Sequence, residues 1–208
     1  GIYADYKKAL ENRNAILKNA SKGLYYDEGE LIVWSENLAE YASHIYLYRK
    51  EYLKKLEVYA KAYMKDISDG REELSLFYKC DIEESSDKEE IKQRYKAKLT
   101  ENLEREKIVG QSLYGVHRDD LEVSINGNAA RYFASQGQQR SVVLSLKLAE
   151  GEVNREICGE YPVFLFDDVL SELDERRRKY ILEGIGERQI IITSCEPDGM
   201  IEFADCVI

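Results

Sequence analysis

A chain of 208 residues with 44% hydrophobic content carries enough apolar side chains for one core or two small ones, which excludes wholesale disorder. No apolar run approaches the ~18 residues of a membrane span and the start shows no signal-peptide pattern, so a cytoplasmic protein is expected. The net charge of −10 excludes a surface that coats nucleic acid along its whole length, because neutralising phosphates takes Lys and Arg at the contact.

The charge is uneven. Residues 1–110 hold 20 basic and 22 acidic side chains, against 10 and 18 over 111–208, so a basic face is compatible only with the first segment. Four cysteines (Cys80, Cys158, Cys195, Cys206) stand far apart with no C-x-x-C pair, which argues for reduced thiols and against a disulfide framework or zinc site.

In chain order, Tyr6, Leu10 and Leu17 mark a first helix. Leu31, Trp34, Leu38, Tyr41, Ile45, Tyr48, Tyr52, Leu56, Tyr59, Tyr63 and Ile67 then recur at alternating steps of three and four, which predicts one long helix with a continuous apolar stripe. Leu74, Leu76, Tyr78 and Cys80 alternate like a short strand. Ile91, Tyr95, Leu99 and Leu103 mark another helix, with Ser86 and Glu89 as its expected capping box. Residues 1–110 thus read as an antiparallel helical arm.

The pattern changes near Gly110. Leu121, Val123 and Ile125 run into Asn126-Gly127, a hairpin signal, with Arg131–Phe133 as the expected return strand. A helix from about Gln138 to Ile157, an apolar strand at Val163–Phe166, a helix from Asp174 and a strand at Gln189–Thr193 complete the chain. Short apolar strands alternating with amphipathic helices predict an α/β layer with a buried parallel sheet. The expected fold is therefore α/β plus α.

The strand ending in Asp167-Asp168 puts two carboxylates where open α/β sheets bind ligands. A Mg2+ ion on Asp167 would offset the cost of a carboxylate at the end of an apolar strand. Asp168 would then be free to orient or deprotonate an attacking water. Upstream, Ser135-Gln136-Gly137-Gln138-Gln139-Arg140 opens a helix, and a helix start offers free amides and a positive dipole end to phosphate. Taken singly, each piece has a purely structural explanation: an acidic turn after a strand, and an ordinary N-cap by Ser135.

Together and in this order they resemble the signature motif, Walker B and D-loop of ABC-type ATPases. The wording Gly115-Val-His117-Arg118-Asp119-Asp120, Ser135–Arg140 and Asp167-Asp168-Val-Leu-Ser171-Glu-Leu-Asp174 is similar to the RecF family of bacterial recombination mediators, as are Asn12-Arg13-Asn14 and Trp34–Tyr41 in the arm. The resemblance covers essentially the whole chain. It implies an antiparallel helical arm over 1–110, followed over 111–208 by the C-terminal half of an ABC-type ATPase lobe.

The resemblance also implies roles. Ser135 and Gly137 would contact the γ-phosphate of ATP bound to the opposite subunit, supported by Gln138, Gln139 and Arg140. Asp167 would hold Mg2+, Asp168 would be the catalytic carboxylate, and Ser171 and Asp174 would form the D-loop. At the switch position, where many ABC ATPases carry a histidine, this chain has Thr193-Ser194-Cys195-Glu196, leaving Thr193 or Ser194 to reach a phosphate. There is no Gly-Lys dipeptide and hence no Walker A loop, so this segment alone is expected neither to bind ATP tightly nor to hydrolyse it. The implied whole protein is an ATP-dependent homodimer that works in DNA repair and replication with the partner RecR at a single-strand/double-strand DNA junction. Two other readings remain: an arm-based protein or DNA interaction module, and another coiled-coil ABC protein of the SMC or RecN type. The short arm disfavours the latter.

Overall fold

The computed structural model describes residues 1–167, 175–184 and 188–193. The elements are α1 (Ile2–Ser21), α2 (Glu28–Ile67), β1 (Leu74–Lys79), α3 (Lys88–Glu101), α4 (Leu103–Val109), β2 (Asp120–Ile125), β3 (Asn128–Ala129), α5 (Ala130–Phe133), α6 (Gln136–Cys158), β4 (Phe164–Asp167), α7 (Glu175–Gly184) and β5 (Ile190–Thr193). They form two compact units, Gly1–Leu53 with Phe77–Leu121 and Lys54–Leu76 with Glu122–Ile208. Residue 110, where the sequence pattern changes, is internal to the first unit. No described helix is long and apolar enough to cross a membrane.

In the first unit α1 and α2 form a helical hairpin. Asp27 caps α2 by accepting a hydrogen bond from the Glu30 amide at 3.1 Å. The core gathers Tyr6, Leu38, Ala42, Ile45, Tyr46, Ile91, Tyr95 and Leu99. The long stripe is largely the buried line: Leu31, Leu38, Ile45, Leu56 and Ile67 are buried, whereas Tyr48 is 70% exposed and Tyr46 is fully covered. A repeat of three and four averages 3.5 residues per turn, and a straight helix drifts about 20° per heptad away from it. Over a 40-residue helix that drift leaves Tyr48 outside near the middle, and Ala39, Ala42, Tyr46, Ala60 and Met64 share the buried face with the stripe. The cap of α3 also differs from expectation. Asp87 accepts from the Glu90 amide at 2.8 Å, so the cap lies one residue beyond Ser86.

A buried polar network ties α1 to α4 and the segment after it. Arg13 and Glu106 pair at 2.6 Å with both side chains 0% exposed. Arg13 also donates to Ser35 Oγ at 2.8 Å and Ser112 Oγ at 2.6 Å. The second oxygen of Glu106 accepts from the Leu113 amide, and Asn14 accepts from both the amide and the hydroxyl of Ser112. Every polar end of the buried pair is occupied, which is the condition for a charge pair to survive burial.

The Gly115–Asp119 segment is held the same way. Gly115 has φ +133°, and a Cβ there would stand 2.6 Å from the Tyr6 hydroxyl, so no larger residue fits. His117 Nε2 lies 3.3 Å from the Ser112 carbonyl, which can only accept, so Nε2 carries the proton and Nδ1 accepts from the Tyr6 hydroxyl at 2.6 Å. Removal of the ring from water lowers its pKa and favours this neutral form. Asp119 accepts from the Tyr78 hydroxyl and lies 3.8 Å from Arg49, which itself donates to the Val116 carbonyl at 2.6 Å. Burial raises the Asp119 pKa from 3.8 to about 6, although Tyr78 and Arg49 pull the other way.

In the second unit, Asn126 and Gly127 both have positive φ, as a two-residue type I′ turn requires. The strand then returns immediately, pairing Ser124 with Ala129 and Ile125 with Asn128. The expected return strand at Arg131–Phe133 is instead the helical turn α5, closed by the Ala134 amide on the Ala130 carbonyl. β1, β2 and β3 are hydrogen-bonded in that order. β4 and β5 are parallel, with Phe164 opposite Ile190 and Asp167 opposite Thr193. Phe164 and Phe166 pack with Leu144, Leu148, Ile67 and Ile181. The opposite face is not buried as expected: Leu165 is 71% and Ile191 52% exposed, because α6 and α7 supply cover to one side alone among the described residues.

Two outcomes follow. Glu106→Ala should lower the unfolding free energy by about 3–5 kcal/mol, because Arg13 stays buried without its counter-ion. Arg13→Ala should do likewise, and the double variant should cost less than the sum, read by denaturant titration; additive losses would rule out the network. Asp119 keeps its proton in the native state up to about pH 6, whereas the unfolded chain loses it near 3.8. Its contribution to stability therefore falls as pH rises through that window and is constant above it. The stability of Asp119→Asn relative to the parent should grow by on the order of 2 kcal/mol between pH 4 and 7, and a pH-independent difference would contradict the assignment.

Candidate nucleotide site

The start of α6 is built by its own sequence. Ser135 sits in extended conformation and closes a capping box with Gln138. Ser135 Oγ accepts from the Gln138 amide at 3.2 Å, and Gln138 Oε1 accepts from the Ser135 amide at 2.9 Å. Gln139 turns back to donate to the Ala134 carbonyl at 3.1 Å. Ser135, Gln139 and Arg140 are exposed, and Gly137 and Gln138 are half-buried. The helix start is thus both structurally capped and open to solvent.

Its place relative to the parallel strands follows from packing. At Gly151, a Cβ would stand 2.3 Å from Phe164 Cζ, so the helix backbone lies directly on the first residue of β4. From Gly151 back to Ser135 the helix is about 24 Å long, whereas β4 advances only about 10 Å from Phe164 to Asp167. Leu144 and Leu148, between Gly151 and the helix start, share a cluster with Phe164 and Phe166, which is consistent with α6 running antiparallel to β4. A second contact agrees. Arg177, in the first turn of α7 after β4, donates from Nε to Ser141 Oγ at 2.7 Å. Its guanidinium also lies 3.6–4.0 Å from where a Gly137 Cβ would be. The carboxyl edge of a parallel sheet is where ligands bind in such layers.

Asp167 ends β4 exposed, and its Oδ1 accepts from Thr193 Oγ1 at 2.5 Å. Asp168, Ser171, Asp174 and Ser194 lie outside the described residues. Among the described residues no group of three His, Cys, Asp or Glu side chains could by itself hold a metal. A single exposed carboxylate beside a hydroxyl does fit Mg2+, which takes one or two carboxylates and completes its octahedron with water and phosphate oxygens.

Sequence reasoning missed Arg177 and Ser141. The signal was present in Arg176-Arg177-Arg178, three cations at a helix start, where the dipole disfavours positive charge. Such a run needs a compensating partner, and for Arg177 that partner is on α6.

The fold is that of a helical arm followed by the C-terminal half of an ABC-type ATPase lobe. No family model matches the chain. It is 40% identical over 200 residues to the DNA replication and repair protein RecF of Clostridium beijerinckii, covering 96% of this chain and 53% of that protein. With the protein of the same description from Clostridium kluyveri, identity is 44% over 190 residues, covering 90% and 50%. A solved structure of the recombination mediator protein RecF-ATP in the RecFOR pathway matches with a TM-score of 0.83 at 36% identity, over 95% of this chain and 53% of that one. The chain is homologous to RecF over nearly all of its length, and spans about half the length of the curated relatives it matches.

Removing the cap should be measurable. Ser135→Ala is expected to cost about 1 kcal/mol, whereas Ser135→Asp, an equally good cap, should be neutral within a few tenths. Denaturant titration of both variants checks this; equal stability of Ser135→Ala and the parent would mean the box contributes nothing.

Proposed function

We propose that the protein to which this chain belongs is an ATP-dependent, DNA-binding recombination mediator of the RecF kind, acting in DNA repair and replication. Residues 1–110 serve as the arm, and 111–208 as the signature and Walker B half of the ATPase lobe. The observation that carries this reading is the exposed, capped start of α6 at the same sheet edge as Asp167. The exposed Leu165 and Ile191 also support it, since apolar strands of a parallel sheet call for a layer on each face.

In this reading Ser135 and Gly137 meet the γ-phosphate of ATP held by a second copy, and Gln138, Gln139 and Arg140 support that meeting. The Ser135 hydroxyl accepts from the Gln138 amide and keeps its own proton to donate to a phosphate oxygen. Asp167 would hold Mg2+, whose charge would offset that of the phosphates. Asp168 as catalytic carboxylate, Ser171 and Asp174 as D-loop, and Thr193 or Ser194 as switch rest on motif position. Nucleotide that binds the dimer better than the monomer drives dimerisation by that difference. RecR and a single-strand/double-strand DNA junction are the proposed partners, and the likeness to a mediator of the RecFOR pathway supports that reading.

The test uses the full-length protein. Ser135→Asp preserves the cap but replaces a donor by a negative charge facing the phosphate. It should bind ATP as the parent does and sediment as a monomer where the parent dimerises. Dimerisation equal to the parent would remove Ser135 from the nucleotide contact.

A further inference from the structure

We infer that Arg177 is a positioning residue that couples the signature turn of α6 to the Walker B and D-loop segment through Ser141. The inference rests on the function proposed above. Three contacts carry it. Arg177 Nε donates to Ser141 Oγ at 2.7 Å, and Ser141 Oγ donates in turn to the Gly137 carbonyl at 3.0 Å. The guanidinium also lies 3.6–4.0 Å from where a Gly137 Cβ would be, so a side chain at that position would meet it.

Ser141 is 0% exposed, so its hydroxyl has no water to fall back on. Its donor and one acceptor site are used in opposite directions, toward Gly137 and from Arg177. A serine that back-bonds to the carbonyl four residues earlier slightly distorts a helix; here the guanidinium holds that arrangement from outside. The cation sits in the first turn of α7, where the dipole works against it, and the bond to Ser141 offsets that cost.

The position of Arg177 gives the relay its consequence. The motif residues Asp168, Ser171 and Asp174 lie between β4 and α7 in sequence. On the strand side, Asp167 is tied to β5 through Thr193. On the helix side, Arg177 is tied to α6 through Ser141. A displacement of the α6 start by an arriving phosphate is thereby transmitted to the helix that follows the catalytic segment, and the reverse holds. Arg177 touches no reacting atom in this scheme.

The test uses the full-length protein with ATP. Arg177→Ala should leave the ATP dissociation constant of the monomer within about twofold and lower kcat by about 10- to 100-fold, the size expected when reacting groups are misplaced by about 1 Å. Arg177→Lys retains a donor for Ser141 and should recover part of kcat, which loss of bulk packing alone would not explain. Ser141→Ala should reproduce the loss, and the double variant should be no worse than either single one. If Arg177→Ala proves unstable in thermal unfolding, Ser141→Ala, which keeps the guanidinium, carries the test. Parental kcat in Ser141→Ala or Arg177→Ala, losses that add in the double variant, or no recovery in Arg177→Lys would overturn the coupling. A parent that does not dimerise with ATP would instead overturn the function proposed above.

Discussion

The close approach of α6 to β4 at Gly151 is the constraint on which the candidate site depends. Because that residue has no side chain, the Phe164 ring can lie against the helix backbone, and Leu144 and Leu148 join Phe164 and Phe166 in one cluster. The contact fixes where a 23-residue helix crosses the strand, and the helix direction decides which end arrives at the carboxyl edge. A Cβ at that position overpacks the interface, which typically costs 1–3 kcal/mol. A lean of α6 of a few degrees about this point displaces Ser135 by ångströms, since the lever is about 24 Å long. Precision at the site is thus set far from it.

A second set of contacts keeps the other half of α6 in place. Arg188, just before β5, pairs with Glu152 on α6 and donates to the Tyr63 hydroxyl at 2.6 Å. Its guanidinium stacks 4.6 Å from the Tyr161 ring, next to the strand that Gly151 supports. Tyr63 and Tyr59 in turn donate to Glu152 and Glu156 at 2.5 Å. The tyrosines of the end of α2 are therefore hydrogen-bond donors along the edge of α6, and their rings supply packing where a fully apolar side chain would leave the carboxylates without partners.

Much of this was legible in the sequence, and the failures have physical causes. The helices of the arm and the alternation of helix and strand after Gly110 follow from periodicity, which reports local burial. The details of α2 did not, because a 3.5-residue repeat says nothing about how a 40-residue helix drifts across two cores. Arg131–Phe133 resembles a strand by composition, but a two-residue turn leaves room for only Asn128–Ala129 to pair before the chain turns helical. The Asn12-Arg13-Asn14 and Gly115–Asp119 segments stood out as family-like without a derivable chemistry. Their content is a buried ion pair and a neutral histidine, partners separated by about a hundred positions. No pattern of one sequence shows such pairings. Arg177 and Ser141 escaped for the same reason.

The Ser135 segment shows why structural and functional readings of a motif need not compete. A helix start has four amides without helical partners. Here the Gln138 amide is taken by the Ser135 hydroxyl, and the Ser135 amide, just before the helix, by the Gln138 side chain. The Gln139 amide closes the first helical bond to the Ser135 carbonyl at 2.9 Å. The Ser135 hydroxyl accepts in this box and keeps its own proton. The guanidinium of Arg177 stands 3.6–4.0 Å from where a Gly137 Cβ would be. A cap in which the serine hydroxyl accepts and keeps its proton stabilises the helix in the absence of ligand without occupying that donor.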